Sequence, residues 1–129
     1  MKLVKDVMVT DIIRISPFAT IREALSLMKR HNVKSLVAER QNEHDAWGLI
    51  TYTNILKSVI SEDGDIDLLN VYDVCAKPVI SVGENLALKY AARLMTEYRV
   101  KRLLVLCDND ISGFVVMDDI MQALLETVD

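Results

Sequence analysis

In the stretch GLITYTNIL, Gly48 to Leu56, two apolar residues follow a glycine, and Thr51, Thr53 and Asn54 then cluster where the apolar run breaks. Hydroxyl and amide groups at such a break suit two chemistries. Side-chain oxygens of Ser, Thr, Asp and Asn cap the free N–H groups of a helix's first turn. The same N–H groups carry partial positive charge and suit a phosphate, to which a threonine hydroxyl adds a hydrogen bond. The stretch GFVVMDDIM, Gly113 to Met121, repeats the shape with other polar groups. Val116 stands where Thr51 does, Asp119 stands where Asn54 does, and Asp118 adds a further negative charge.

A second pair of echoes is basic. Val33-Lys34-Ser35-Leu36 returns as Val100-Lys101-Arg102-Leu103, with Arg99 just before it. Lys101, Arg102 and Arg99 can neutralise phosphates, and the planar fork of arginine suits phosphate oxygens. The same charges also suit a solvated turn beside a helix end. Catalytic constellations are missing: there is no nucleophile elbow, phosphate-binding Gly-rich loop or Cys/His pair. Asp118 and Asp119 are neighbours on a helix start and diverge, which makes a poor acid/base pair. Asp63, Asp65 and Asp67 have the spacing of a calcium loop, but the Gly and Glu that such a loop needs are replaced by Leu68 and Val74. His31 and His44 are isolated, so no metal-ligand spacing arises.

The whole chain sets bounds on these groups. It has 129 residues, 51% hydrophobic and only 5% aromatic, so aliphatic side chains must build the core. A net charge of −4 argues against a nucleic-acid binder, which needs a broad basic face. Two distant cysteines, Cys75 and Cys107, fit a reduced cytosol better than a disulfide framework. The opening MKLVKDVMVT lacks the apolar core of a signal peptide, and no apolar run approaches the roughly 18 residues of a membrane span. The expectation is a cytoplasmic protein bound neither to nucleic acid nor to membrane.

One pattern, written twice, must position the polar groups. Asp6-Val7 returns 67 residues on as Asp73-Val74, and the same offset sets Ala24 on Ala91, Met28 on Met95 and Lys34 on Lys101. Gly48 meets Gly113 at an offset of 65, so the first copy holds two extra residues in its turn. Each copy opens on a short β-branched strand, residues 12–15 and 79–82. A helix follows, with apolar stripes at Ile21, Ala24, Leu25 and Met28 and at Leu88, Ala91, Ala92 and Met95. Thr20 and Glu23 predict a capping box, whereas Ala87 replaces that threonine and moves the expected start of the second helix to Asn85. Two strands come next, 35–38 with 47–51 and 103–107 with 113–116, the latter pair joined by the turn-forming Asp108-Asn109-Asp110. A closing helix ends each copy, 53–61 and 118–127, and residues 61–67 form a polar connector. The predicted class is α+β: repeat 1 over 1–66, repeat 2 over 67–129, each strand-helix-strand-strand-helix. One repeat alone is too small to bury its apolar faces, so the two are expected to pack as one pseudo-two-fold module with a cleft where they meet.

DVM at 6–8, ATIREAL at 19–25, VKSLV at 33–37 and GLITYTNI at 48–55, echoed by DVC, LALKYAARLM, VKRLLVL and GFVVMDDI, together resemble a CBS domain written twice. The resemblance runs from about Val4 to Leu125. It implies a regulator that binds an adenosine-containing ligand (AMP, ADP, ATP, S-adenosylmethionine or an NAD-type molecule), needs no resident cofactor, forms a homodimer and signals to a partner protein. It further implies a Thr-x-x-Asp at the last strand-to-helix junction, for phosphate and ribose hydroxyls. Here that pattern is split: Thr51 and Asn54 in one copy, Val116 and Asp119 in the other. Lys34, Ser35, Lys101 and Arg102 take the family's ligand-facing positions, and Thr10, Ile13 and Ile80 its main-chain and apolar contacts. The alternative reading is a ligand-free dimerisation domain on the same fold, with Thr51, Thr53 and Asp118 serving only as helix caps.

Overall fold

The computed structural model describes residues 2–128; the outermost residues of the two repeats, 1 and 129, lie outside the described residues. In chain order the elements are α1 (Val4–Val7), β1 (Arg14–Ile15), α2 (Ile21–His31), β2 (Ser35–Ala38), β3 (Gly48–Thr51) and α3 (Tyr52–Ile55). A π-helical stretch, Leu56–Ser61, prolongs α3. There follow α4 (Val71–Val74), β4 (Ser81–Gly83), α5 (Leu88–Tyr98), β5 (Arg102–Cys107), β6 (Asp110–Val116) and α6 (Met117–Leu125). No described helix is long and apolar enough to cross a membrane.

The chain forms two compact units, one of Ile13–Val79 and one of the segment up to Ile12 together with the chain from Ile80 onward. Each unit has one three-stranded sheet, β1-β2-β3 or β4-β5-β6, in which a parallel pair is followed by an antiparallel hairpin. Every residue of β2 and β3 is buried, which explains their near-continuous apolar runs. The predicted stripe of α2 (Ile21, Ala24, Met28) packs with Leu36, Ala38 and Ile50, and with Val71 and Val74 of α4. In the other unit Ala91 and Met95 of α5 pack with Leu103, Val105 and Val115, and with Val4 of α1. Burying each of the larger side chains contributes roughly 1.5–3 kcal/mol.

The short helices show that a repeat of sequence and a unit of packing differ. Helix α4 opens the second repeat in the chain, yet its arm bridges the first body through Thr20–Asn70 and Leu49–Ala76. Helix α1 opens the first repeat, yet its arm bridges the second body through Leu3–Ala87 and Val9–Phe114. The repeated aspartates are structural there: Leu3 N–H donates to Asp6 at 2.8 Å, and Asn70 N–H donates to Asp73 at 2.9 Å.

The capping box predicted for α2 is present, with Thr20 N–H on the Glu23 carboxylate and Glu23 N–H on the Thr20 hydroxyl. The start expected for α5 at Asn85 is corrected: the cap residue is Ala87, without a side-chain bond. The arm supplies the missing partner, since Leu88 N–H donates to the Lys2 carbonyl at 3.0 Å. Both long helices end on a left-handed residue, Asn32 (φ 53°) and Arg99 (φ 54°). Asp108 and Asn109, at φ 52° and 66°, make the two-residue turn that joins β5 to β6. The closing helices begin one residue earlier than expected, at Tyr52 and Met117.

Candidate functional site

In each unit the fold joins the two sequence echoes. The β2–β3 register sets Ser35 opposite Thr51, and the β5–β6 register sets Arg102 opposite Val116. Facing residues of an antiparallel pair share one face of the sheet. The residue before each is tied to the helix that follows: Tyr52 N–H donates to the Lys34 carbonyl at 3.2 Å, and Met117 N–H to the Lys101 carbonyl at 2.8 Å. Basic or hydroxyl groups of one strand therefore stand beside the first turn of a helix on the next. The role of these two carbonyls has no sequence signal, because any residue type carries one.

The first junction is closed on itself. Thr51, only 9% exposed, is the N-cap of α3. Its hydroxyl donates to Asn54 Oδ1 at 3.0 Å and accepts from Asn54 N–H at 3.3 Å, while Thr51 N–H also donates to Oδ1 at 3.0 Å. Thr53, in contrast to the capping role open to it in the sequence, lies inside the helix. Ser35 is buried and Lys34 exposed.

The second junction is open. Val116 occupies the N-cap of α6 and makes no side-chain bond. Asp118 is likewise no cap; it and Asp119 sit in the first turn. Among the described residues, the Asp119 carboxylate has no hydrogen-bond or ion-pair partner, and Arg102 Nε is buried with none. Buried donors without partners are rare in folded proteins; Trp47 Nε1 in the other unit is a second one. Lys101 is exposed and Arg102 and Asp119 are half-buried.

Ile13 and Ile80 occupy equivalent places, each half-buried, with carbonyls that accept from Val37 N–H at 2.9 Å and Leu104 N–H at 3.0 Å. Those carbonyls extend the parallel pairing. Thr10 is exposed and follows Val9, which is bonded both ways to Phe114, so Thr10 belongs to the unit that holds Ile80, Lys101, Arg102 and Asp119. Ile13, Lys34, Ser35, Thr51 and Asn54 share the other unit. Elsewhere, burial pushes the Cys75 thiol up from its ordinary range, and its sulfur lies against Gly48, as befits a packing residue. Among the described residues no three His, Cys, Asp or Glu side chains group as metal ligands.

The twofold pattern and paired junctions match a known family. The family model for the CBS domain matches residues 4–61 and 71–126, and the chain belongs to that family as a tandem pair. The CBS domain-containing protein YhcV of Bacillus subtilis is 32% identical over 120 residues, 93% of this chain and 84% of the relative. A hexameric CBS-CP12 protein from bloom-forming cyanobacteria is 29% identical with a TM-score of 0.89, over 93% of this chain and 66% of that one. The CBS domain pair of protein MJ0100, solved with 5′-methylthioadenosine and S-adenosylmethionine, shares the fold at 23% identity and TM-score 0.84, over 99% of both chains.

Proposed function

We propose that this chain is a regulatory module that binds an adenosine-containing ligand and passes its state to a partner protein. The observation that carries the reading is the junction itself. A basic strand end (Lys101, Arg102) stands beside the first turn of α6, where Arg102 Nε is buried without a partner and the Asp119 carboxylate is unpaired among the described residues. A carboxylate accepts hydrogen bonds from ribose hydroxyls, and guanidinium and helix N–H groups donate to an anionic or polar tail. The MJ0100 pair supports the reading in that the same fold there holds adenosyl molecules. The ligand belongs to the group AMP, ADP, ATP, S-adenosylmethionine and NAD-type molecules.

The module performs no catalytic step. Regulation comes from differential affinity: a ligand that binds one arrangement of the protein better shifts the population toward it. Copies of the chain associate, with a homodimer as the basic assembly, through apolar side chains on the closing helices. Leu56 and Ile60 are 60% and 67% exposed, and Leu124 and Leu125 are 58% and 53% exposed. The hexameric CBS-CP12 relative supports self-association.

Native mass spectrometry of the purified chain, before and after incubation with the five ligand types, tests the reading. A mass increment equal to one of them supports it. A bare protein under every condition, at ligand concentrations up to millimolar, overturns it.

The ligand-free alternative draws on a specific observation, the Thr51–Asn54 bonding that occupies the first junction's polar groups. It covers one junction only. The second retains its unpartnered groups.

A further inference from the structure

We propose that Arg14, Arg40 and Trp47 form an oxyanion-binding site at the hairpin end of the first unit's sheet, distinct from both strand-to-helix junctions. The site takes a carboxylate or phosphate group. Trp47 is the chain's one tryptophan. It stands just before β3, whose first residue Gly48 faces Ala38, whereas Thr51 of the junction faces Ser35 at the other end. At a rise of about 3.4 Å per residue, roughly 14 Å of strand separate Trp47 from Thr51.

Two guanidiniums converge on the indole ring: Arg40 Cζ lies 4.9 Å and Arg14 Cζ 5.4 Å from its centroid. Each is drawn there by the negative face of the ring. Two positive charges thereby stand within about 10 Å of each other, no farther apart than the screening length in dilute salt, and repel. An anion between them relieves that repulsion. The indole Nε1 is buried and has no hydrogen-bond partner.

The nearby carboxylates do not fill this place. Asp45 accepts from Gln41 N–H, Ala46 N–H and the Lys77 ammonium. Those bonds pin the long turn that carries Arg40 and Trp47. Glu39 and Glu43 are exposed, and among the described residues neither forms an ion pair with Arg40. Arg40 donates instead from Nη1 to the Glu43 carbonyl, at a long 3.4 Å. The fork of Arg40 and the indole N–H thus lack an oxyanion of their own, beside the further positive charge of Arg14. Guanidinium forks match the geometry of carboxylate and phosphate oxygens. The second repeat has Ser81, Cys107 and Ser112 at the equivalent positions, so the site belongs to the first unit alone.

The single indole N–H gives one resonance in a nitrogen–proton correlation spectrum of the full chain, and that resonance reports on this site. Titrations at fixed ionic strength with inorganic phosphate and with a hexaglutamate peptide distinguish a free-ion site from one that reads acidic side chains. The expected result is a saturable downfield shift of the indole proton with at least one probe. Arg40→Gln should weaken that probe by about tenfold or more, the effect of a lost charge-assisted hydrogen bond, and Arg40→Lys should fall between. Arg30→Gln, which removes an exposed charge from the same unit, should leave the midpoint where it was. An indole resonance unmoved by both probes, or a shift that never saturates, would overturn the inference. So would a midpoint unchanged by Arg40→Gln, or one weakened equally by Arg30→Gln.

Discussion

Thr51 and Asn54 satisfy each other through three hydrogen bonds of 3.0, 3.0 and 3.3 Å, which makes this polar cluster of the first repeat a helix cap. Its counterpart pair, Val116 and Asp119, makes none of them. Thr51→Val should therefore lower stability by about 1 kcal/mol, the usual value of an N-cap. Val116→Thr should raise it by a similar amount, because the new hydroxyl meets the N–H of Asp119. Urea unfolding of the two variants checks both signs.

Gly113 is fixed by the arm that crosses it. A Cβ there would collide with the Val9 carbonyl, whereas one at Gly83 would meet nothing within 4 Å. Gly113→Ala should cost about 1–3 kcal/mol by forcing the Val9–Phe114 bridge apart, and Gly83→Ala should be nearly neutral. Amide exchange at Val9 and Phe114 should accelerate in the first variant only.

Arg99 holds a left-handed conformation that glycine adopts without a steric penalty. Arg99→Gly should stabilise the chain by about 1 kcal/mol. The matching change at Asn32 should be smaller, since asparagine tolerates that region. Thermal unfolding of the two variants provides the comparison.

The stability of the first unit should depend on acid. The Lys77 ammonium, aided by Gln41 N–H, holds the Asp45 carboxyl below its ordinary range, and the Arg22 guanidinium does the same for Asp67. Groups with a lowered folded-state pKa contribute stability that is full above the ordinary carboxylate range and lost as pH falls through the lowered values. Stability measured from neutral pH downward should stay level until about pH 4 and then decline. The double variant Asp45→Asn, Asp67→Asn should flatten part of that decline.

The repeat of Asp6-Val7 in Asp73-Val74 revealed two copies, and the stripes at Ile21, Ala24 and Met28 and at Leu88, Ala91 and Met95 revealed their helices, because those signals are local and periodic. The bounds of β2 could likewise be read residue for residue. The exchange of arms could not, since bridges such as Thr20–Asn70 and Leu3–Ala87 join residues far apart in the chain by main-chain atoms that every residue carries. The start of α5 escapes the sequence for the same reason: its cap residue, Ala87, offers no side-chain bond, and the distant Lys2 carbonyl accepts from Leu88 N–H instead. At the site, the split of the Thr-x-x-Asp pattern was visible in the letters. That Asn54 turns inward, and that Arg102 buries an unpartnered Nε, depends on rotamers and neighbours that the letters do not encode.

A thermal-shift panel of AMP, ADP, ATP, S-adenosylmethionine and NADH measures most directly whether this tandem pair is a ligand-binding module. A ligand that binds only the folded state adds about 2.7 kcal/mol at a concentration 100-fold above Kd. The predicted result is a rise of several degrees in Tm with at least one member, growing with its concentration. An unchanged Tm with all five at millimolar concentration would contradict the account.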